Sequence, residues 1–259
     1  MFESTSIDHQ LNCRSRGPLS RSRALVLLAG LALVPGSVEP ALATHPCTSP
    51  LVLDLGNDGV NTTSLNYSVD FDINGDGVAD TIAWTAWYFD EAFLWIDLNH
   101  NRRVDDGSEL FGNSMLLPSG EYAPNGFDAL AAYDDEALGG NEDGAITPQD
   151  LVWPELLLWV DSNHNGLSEP TEIRSLRREG VVEIGLSYTE SDYVDGNQNL
   201  HKFQGKFLKY VRGGARPFLR EQDVDDVFFV AREPQQCPAA RCAFIQRPSV
   251  VYGTRSWRG

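Results

Sequence analysis

Residues 161–172 carry oxygen-bearing groups at the spacing of an EF-hand calcium loop. The donors at the first, third, fifth, seventh, ninth and twelfth places are Asp161, Asn163, Asn165, the Leu167 carbonyl, Glu169 and Glu172. Gly166 occupies the sixth place, where the chain has to turn sharply. Asn and Gly also favour ordinary turns, but a turn has no need of an acid at the twelfth place. We therefore predict that this loop binds Ca²⁺.

Three further loops repeat the donor pattern with defects. Their donors are Asp72, Asn74, Asp76, the Val78 carbonyl and Asp80 in the first loop; Asp97, Asn99, Asn101, the Arg103 carbonyl, Asp105 and Glu109 in the second; and Asp134, Asn141, Asp143, the Ala145 carbonyl and Asp150 in the third. Because calcium accepts six to eight oxygen ligands in flexible geometry, we predict metal binding at these loops as well.

Each defect has its own expected consequence. The first loop has Ala83 at its twelfth place, and the third requires an insertion after Asp134. The second has Arg102 where glycine belongs, and a left-handed backbone there costs about 1–2 kcal/mol. We therefore expect the second loop to bind more weakly or to adopt another shape. A fifth stretch, residues 54–59, has Gly56 at the third place and is the poorest candidate.

The charge of the chain is concentrated around these loops. The formal net charge is −17, and residues 44–173 contain 24 Asp and Glu residues against two basic residues, Arg102 and Arg103. Such a density of like charge repels itself unless cations neutralise it. This distribution supports cation binding and excludes a nucleic-acid partner.

The amino terminus is typical of an export signal. Arginines at positions 14, 16, 21 and 23 precede an apolar run at residues 24–34, and Ala41-Leu42-Ala43 follows as a cleavage signal. The run is too short to span a bilayer. We predict a signal peptide at residues 1–43, a calcium-binding module at residues 44–232 and a Cys-, Arg- and Pro-containing tail at residues 233–259. The mature chain is expected outside the cytoplasm, secreted, periplasmic or at the cell surface, without a transmembrane segment.

Cysteine usage leaves the disulfide pattern open. Cys47, Cys237 and Cys242 remain after removal of the signal peptide. Cys237 and Cys242 could close a small loop, or Cys47 could tie the amino terminus to the tail. The same cysteines with His45 could hold zinc, but there is no tight Cys-x-x-Cys pair, which favours a disulfide.

Hydrophobic periodicity predicts an α+β fold of short strands and hairpins, EF-hand-like calcium loops and a few short helices. Strands are expected at residues 51–55, 67–73, 81–87, 92–97 and 224–231, with a hairpin of 181–188 and 201–211 around Asp195-Gly196. Helices are expected at residues 125–133, in part of 148–160, and at 169–178 between Ser168 as N-cap and Gly180 as the stop. The loops at 134–150 and 161–172 flank one short segment, as paired EF-hands do.

Several motifs occur in an order that resembles a known family. They are Pro50-Leu-Val-Leu-Asp-Leu, Asp97-Leu-Asn-His-Asn, Asp105-Asp-Gly-Ser-Glu-Leu-Phe-Gly-Asn113, Gly126-Phe-Asp-Ala-Leu-Ala-Ala-Tyr-Asp, Gly139-Gly-Asn-Glu-Asp-Gly, Leu158-Trp-Val-Asp-Ser-Asn-His-Asn-Gly-Leu-Ser-Glu and Asp226-Val-Phe-Phe. The order is similar to that of a bacterial calcium-binding module related to the self-processing modules of RTX proteins. The resemblance covers about residues 49–230 and implies a secreted, calcium-dependent module with EF-hand-like loops.

The resemblance also bears on activity. In the self-processing relatives an Asp-Pro bond breaks when the Asp carboxylate attacks its own carbonyl, giving an anhydride that a lysine amine can capture. This chain has Ser49-Pro50 at that place and no Asp-Pro bond. We therefore expect a non-enzymatic calcium-stabilised structural or interaction module, with an unidentified protein or cell-surface partner. The alternative is a calcium-triggered autoprocessing or crosslinking module. A dockerin is a third option, although the chain lacks two near-identical calcium-binding segments.

Overall fold

Ten β-strands and two short α-helices make up the part of the chain that this computed structural model describes, residues 48–87, 90–213 and 216–232. The expected signal peptide, the cysteines and the tail lie outside these residues. The strands are β1 (Leu51–Asp54), β2 (Val69–Phe71), β3 (Asp80–Ile82), β4 (Glu91–Ile96), β5 (Ala145–Ile146), β6 (Leu156–Trp159), β7 (Ile173–Ser175), β8 (Val181–Val194), β9 (Leu200–Gly213) and β10 (Arg216–Phe228). The α-helices are α1 (Gly126–Ala131) and α2 (Leu176–Glu179), and 3-10 turns occur at Leu65–Tyr67, Ala132–Asp134, Glu136–Leu138 and Trp153–Glu155.

Eight strands form one sheet in the order β5-β8-β9-β10-β1-β4-β6-β7, in which every pairing is antiparallel. Strands β2 and β3 form a separate antiparallel pair. The expected α+β fold is therefore wrong, because the architecture is mostly antiparallel sheet and the two α-helices have only six and four residues. The loop at residues 72–80 connects β2 with β3, and the loop at residues 161–172 connects β6 with β7, so these two loops join strands instead of the helices of an EF-hand.

Side-chain alternation in the central strands places a core on each face of the large sheet. Leu51 and Leu53 pack on one face with α1, and Val52 packs on the other face with β2 and β3. The second core is aromatic, with Trp84 lying 4.6 Å from Phe93 between ring centroids. All these residues are at most 1% exposed, which fits strands covered on both faces.

The hairpin and the first helix are confirmed. Strands β8 and β9 pair around Asp195-Gly196, as expected, although each extends to 14 residues. Helix α1 begins after Asn125, whose side chain accepts a hydrogen bond from the Asp128 amide at 2.8 Å. Three of its side chains, including Phe127 and Leu130, are fully buried.

Two expected helices are wrong. Residues 148–160 contain only the 3-10 turn at Trp153–Glu155 before strand β6, which pairs with β4. Residues 169–178 form β7 and only the start of α2, and the N-cap is Ser175 rather than Ser168. Pairing with neighbouring strands has overridden local helix propensity in both places. Gly180 does end α2, with a φ of +79°.

Candidate metal centre

Asp161 organises the most complete loop through its own carboxylate. Asp161 Oδ1 accepts from the Asn165 amide at 3.1 Å, and Oδ2 accepts from the Gly166 amide at 2.8 Å. His164 and Gly166 have φ values of +58° and +70°. The carboxylate at the first place thus holds a turn that is left-handed at the fourth and sixth places.

The other three predicted loops share this frame. The sixth-place amides of Gly77 and Arg102 donate to Asp72 Oδ2 at 2.7 Å and to Asp97 Oδ2 at 2.9 Å. Arg102 adopts a φ of +65°, so its loop keeps the common shape despite the steric cost expected for a non-glycine residue. Of the two outcomes that we expected for this loop, another shape is not found, and weaker binding stays a prediction.

The inserted loop also keeps this frame. The Gly144 amide donates to Asp134 Oδ2 at 2.9 Å, although ten residues separate them. Asp134 therefore stands in the first-place position that the sequence assigned to it. Glu142 and Gly144, at the fourth and sixth places, again have positive φ values of +54° and +86°.

The residues expected to offer carbonyl oxygens lie at matching positions. The seventh-place amides of Val78, Arg103, Ala145 and Leu167 each donate to the fifth-place side chain two residues earlier, at 2.8–3.1 Å. All four loops therefore contain the same side-chain-to-backbone turn between the fifth and seventh places. The acceptors are Asp76, Asn101, Asp143 and Asn165.

In the loop at residues 161–172 the later donors meet the earlier ones. The Asn163 and Asn165 side-chain amides donate to Glu169 Oε1 at 3.2 and 2.8 Å. Glu172 Oε1 accepts from the Ser162 amide at 2.8 Å. Burial raises the pKa of Glu172, and the adjacent Glu169 carboxyl raises it further. Glu169 Oε2 is buried and has no hydrogen-bond partner.

Glu109 takes the position of a twelfth-place acid in the loop that starts at Asp97, although it stands one residue later. Its Oε1 accepts from the second-place amide of Leu98 at 3.1 Å, and its Oε2 accepts from the ninth-place amide of Asp105 at 3.0 Å. Glu172 accepts from the same two places of its own loop, Ser162 and Glu169. Burial raises the pKa of Glu109, with the Asp105 charge acting in the same direction.

The loop at residues 134–150 leaves two carboxylate oxygens without partners. Asp134 and Asp150 are 7% and 2% exposed, and Oδ1 of each is buried with no hydrogen-bond donor. The Thr147 amide occupies the other oxygen of Asp150 at 2.6 Å. At the rim of the loop, the Asn141 side-chain amide donates to Asp143 Oδ2 at 3.0 Å.

The loop at residues 72–80 is the one of the four that has no acid at or next to its twelfth place. Asn74 Nδ2 lies 3.5 Å from Asp80 Oδ2, which brings the third and ninth places together. Its twelfth place, Ala83, is fully buried in the aromatic core and offers no side-chain oxygen. This loop therefore has fewer available donors than its neighbours.

Hydrogen bonds connect three of the loops. The Val104 amide donates to Ser168 Oγ at 2.8 Å, joining the loops that start at Asp97 and Asp161. The Gly107 amide donates to the Asp72 carbonyl at 2.8 Å, joining the loops that start at Asp72 and Asp97. These three loops are therefore coupled structurally.

No three Asp, Glu, His or Cys side chains gather into a metal-type cluster in residues 48–87, 90–213 and 216–232. EF-hand-type loops, however, draw many ligands from Asn side chains and backbone carbonyls. The donors of this chain are of that mixed oxygen type. The unpartnered buried oxygens of Asp134, Asp150 and Glu169 show that the residues fit a hard cation.

Sequence reasoning missed two buried groups near the loops. Glu91 is 2% exposed, and burial raises its pKa to about 7. His201 is 1% exposed and lies between Asp195 and Asp225, with its Nδ1 at 2.7 Å from Asp225 Oδ2. Neither residue belongs to a spaced motif, so only their positions in the sheet reveal them.

The fold and the loops define a class of protein, an antiparallel β-sheet module that presents acidic Asx-rich loops between its strands. The SPM domain model matches residues 51–216, and the chain belongs to that family. The chain is also similar to the iron-regulated protein FrpA of Neisseria meningitidis serogroup C, with 33% identity over 162 residues, or 62% of this chain. The match spans 14% of the length of FrpA. Together these findings relate the chain coarsely to RTX-type exported proteins.

The described part of the chain contains no helix of the length and apolarity needed to cross a membrane.

Proposed function

We propose that this chain is an exported calcium-binding module in which Ca²⁺ ions stabilise the loop regions of the sheet. The observation that carries the proposal is the pair of buried, unpartnered oxygens in one loop, Asp134 Oδ1 and Asp150 Oδ1. A buried carboxylate without a cation or donor is costly. A cation shared by the two side chains would remove that cost.

The donor chemistry favours calcium over other metals. The four loops offer carboxylate, amide and carbonyl oxygens, and none of their assigned donors is a sulfur or an imidazole nitrogen. Hard oxygen sets suit Ca²⁺, Mg²⁺ or Mn²⁺. Mg²⁺ demands strict octahedral geometry and retains its waters. The flexible spacing of these loops, with Glu109 displaced by one residue and Asp134 by an insertion, therefore fits Ca²⁺ best.

Membership of the SPM family and the similarity to FrpA support an RTX-related, exported role. The motif order in the sequence resembles that of calcium-dependent modules, which agrees with the loop chemistry. Because the match covers a small share of FrpA, the activity and partners of the whole relative are not transferred. We infer a structural or interaction role outside the cytoplasm.

Calorimetric titration of the full chain with CaCl2, and with MgCl2 for comparison, tests this function. We expect calcium to bind and to raise the melting temperature relative to a sample in chelator. The Asp150→Asn variant removes one carboxylate of the loop that carries the proposal and should bind fewer ions. Glu155→Ala is the matched control, because Glu155 is exposed and outside every loop. Equal melting temperatures in calcium and chelator would refute the proposal.

We further infer that the chain does not process itself before Pro50. The Ser49 amide donates to Asn113 Oδ1 at 3.0 Å, and the Pro50 carbonyl accepts from the Val227 amide at 3.0 Å. A Cβ on Gly112 would lie 1.7 Å from the Ser49 carbonyl oxygen, so this peptide is closely enclosed. A serine attacking its own carbonyl would have to form a strained four-membered lactone. The nucleophile required by the self-processing relatives is therefore missing.

A further inference from the structure

A cavity of about 370 Å³ lies where three separate segments of the chain meet. Its walls are formed by residues 62–64 and Tyr67, by Ala86 and Trp87, and by Asn197 in the connection between β8 and β9. This volume is at the lower end of the range for small-molecule sites. None of the described residues that line the cavity carries a charge, although the chain has a net charge of −17. The cavity is therefore suited to a small neutral ligand.

Hydrogen bonds between the segments fix the shape of the cavity. The Asn197 side-chain amide donates to the Thr62 carbonyl at 2.8 Å. The Thr63 amide donates to the Trp84 carbonyl at 2.7 Å, two residues before Ala86. Because these contacts hold the walls, a ligand does not have to order them, which lowers the entropy cost of binding.

Two aromatic side chains form the apolar wall of the cavity. The rings of Tyr67 and Trp87 meet edge to face, with their centroids 5.0 Å apart. Tyr67 is 58% exposed, and Trp87 is half-buried. Tyrosine and tryptophan combine a large apolar ring with a polar group at one end. Such a wall fits the C–H groups on one face of a pyranose ring.

Polar atoms of the same cavity are available to a ligand. The Asn197 side chain uses its amide nitrogen for the Thr62 carbonyl, and no donor among the described residues contacts its Oδ1. Ser64 Oγ accepts from the Asn66 amide at 3.4 Å, which leaves the hydroxyl proton to be donated. The cavity therefore offers both an acceptor and a donor, which together match the hydroxyl groups of a sugar.

His164 joins the aromatic wall to the most complete calcium-type loop. The His164 ring lies 4.9 Å from the Trp87 ring between centroids, and its Nε2 lies 2.7 Å from the Tyr67 carbonyl oxygen. His164 stands at the fourth place of the loop at residues 161–172, with a φ of +58°. The positions of both aromatic residues therefore depend on the conformation of that loop.

We propose that this cavity binds a neutral pyranose sugar, which stacks on Tyr67 and Trp87 and forms hydrogen bonds with Asn197 and Ser64. An anionic sugar is disfavoured because the chain as a whole is strongly acidic. Ordering of the loop by Ca²⁺ strengthens sugar binding, since His164 contacts both aromatic residues. This calcium dependence rests on the proposed function, whereas the sugar site itself does not.

An array of neutral and acidic glycans, probed with the labelled full chain in CaCl2 and in chelator, tests the site. We expect the chain to bind neutral glycans in CaCl2 and to bind them more weakly in chelator. Tyr67→Ala and Asn197→Ala should each abolish this binding, and because Tyr67 is exposed its truncation leaves the core intact. Tyr210→Ala is the matched control, because Tyr210 is 51% exposed and lies on β9 outside the cavity.

The outcomes separate the sugar site from the proposed function. Binding of neutral glycans that is lost in Tyr67→Ala and Asn197→Ala but retained in Tyr210→Ala supports the site. Binding to no neutral glycan, or equal binding by the wild type and Tyr67→Ala, overturns it. Glycan binding that is unchanged in chelator overturns only the calcium dependence. A wild type that binds calcium in calorimetry but no neutral glycan refutes the sugar site and leaves the proposed function standing.

Discussion

Trp84 donates its indole Nε1–H to Asp161 Oδ2 at 2.9 Å, and both residues are buried. This bond connects the first residue of the most complete loop to the centre of the aromatic core. Trp84 also contacts Trp159, with ring centroids 5.6 Å apart, and the Trp159 indole lies 3.4 Å from Glu172 Oε2. The two ends of the loop are therefore both tied to neighbouring tryptophans.

Calcium removal should consequently be visible in the aromatic core. We expect chelator to reduce the near-ultraviolet dichroism and the melting temperature of the wild type. If calcium is present at 100 times its dissociation constant, one site contributes about 2.7 kcal/mol to stability. Trp84→Phe should weaken the spectroscopic response more than Trp87→Phe, because Trp84 donates directly to the first-place carboxylate. Trp87 is half-buried and contacts the loop through the His164 ring, with centroids 4.9 Å apart. An aromatic spectrum that is identical in calcium and chelator would contradict this coupling.

Glu172→Ala and Asp161→Ala should each abolish the site at residues 161–172. Glu172 accepts from the Ser162 amide and hydroxyl, at 2.8 and 2.9 Å, so its loss removes a ligand and also leaves loop donors unsatisfied. We expect calorimetry to show one binding event fewer, while Glu155→Ala retains the wild-type isotherm. An unchanged isotherm in Glu172→Ala would show that the twelfth-place acid is not a ligand.

Glu109→Ala should resemble Glu172→Ala despite the one-residue displacement. The structure gives both carboxylates the same amide partners, at the second and ninth places of their loops. Ser108, which stands at the formal twelfth place, should tolerate alanine with calcium binding unchanged. Calorimetry on Ser108→Ala and Glu109→Ala distinguishes the two positions. A larger loss in Ser108→Ala would show that sequence spacing, rather than the observed geometry, identifies the donor.

His201 should make stability depend on pH above neutrality. Burial lowers its pKa, but hydrogen bonds and charge from Asp195 and Asp225 outweigh burial and raise the pKa to about 9. The stabilisation is therefore complete below the unfolded pKa of about 6.5 and is lost as pH rises through 9. For Asp195 the direction is opposite: burial raises its pKa, but hydrogen bonds from His201 and Thr62 outweigh burial and lower the pKa to about 2. The stabilisation that Asp195 provides is therefore present above about pH 4 and is lost as the pH falls through 2.

Denaturant unfolding at fixed calcium concentration between pH 6.5 and 9.5 measures this effect. The wild type should lose stability across the interval, and His201→Gln should show a flatter profile at a lower starting stability. His164→Gln is the control, because its Nε2 contacts the Tyr67 carbonyl rather than an acid. Parallel profiles in wild type and His201→Gln would exclude His201 as the titrating group.

Wild-type chain incubated with calcium should retain its intact mass. Ser49→Asp supplies the carboxylate that the self-processing relatives use, in a peptide enclosed by Gly112 and Val227. Positioning of the reacting groups supplies most of the acceleration in such a reaction. Cleavage in this variant alone would therefore show that the fold can position a carboxylate for attack and that Ser49 is the one residue that prevents cleavage in the wild type. A wild-type fragment that ends at Ser49 would contradict the non-enzymatic function.

The sequence alone determined the local features of this protein. The loop spacing of Asp161, Asn165 and Gly166 predicted the turn that the structure contains, because Asx side chains and glycine encode that turn through their own backbone contacts. The Asp195-Gly196 hairpin and the helix expected at residues 125–133 were likewise predicted from neighbouring residues. These are interactions among residues close in the chain.

The tertiary structure decided what depends on distant partners. Residues 156–159 became a strand because β4 was available to pair with them, and no local signal records that pairing. Glu109 occupies the position of the twelfth-place acid, one residue beyond the expected spacing, because the folded loop brings its carboxylate to the Leu98 and Asp105 amides. Glu91 lies opposite Asp54 only because β1 and β4 are neighbours in the sheet. Long-range strand register, which residue spacing does not encode, therefore determines the fold class and the composition of the candidate sites.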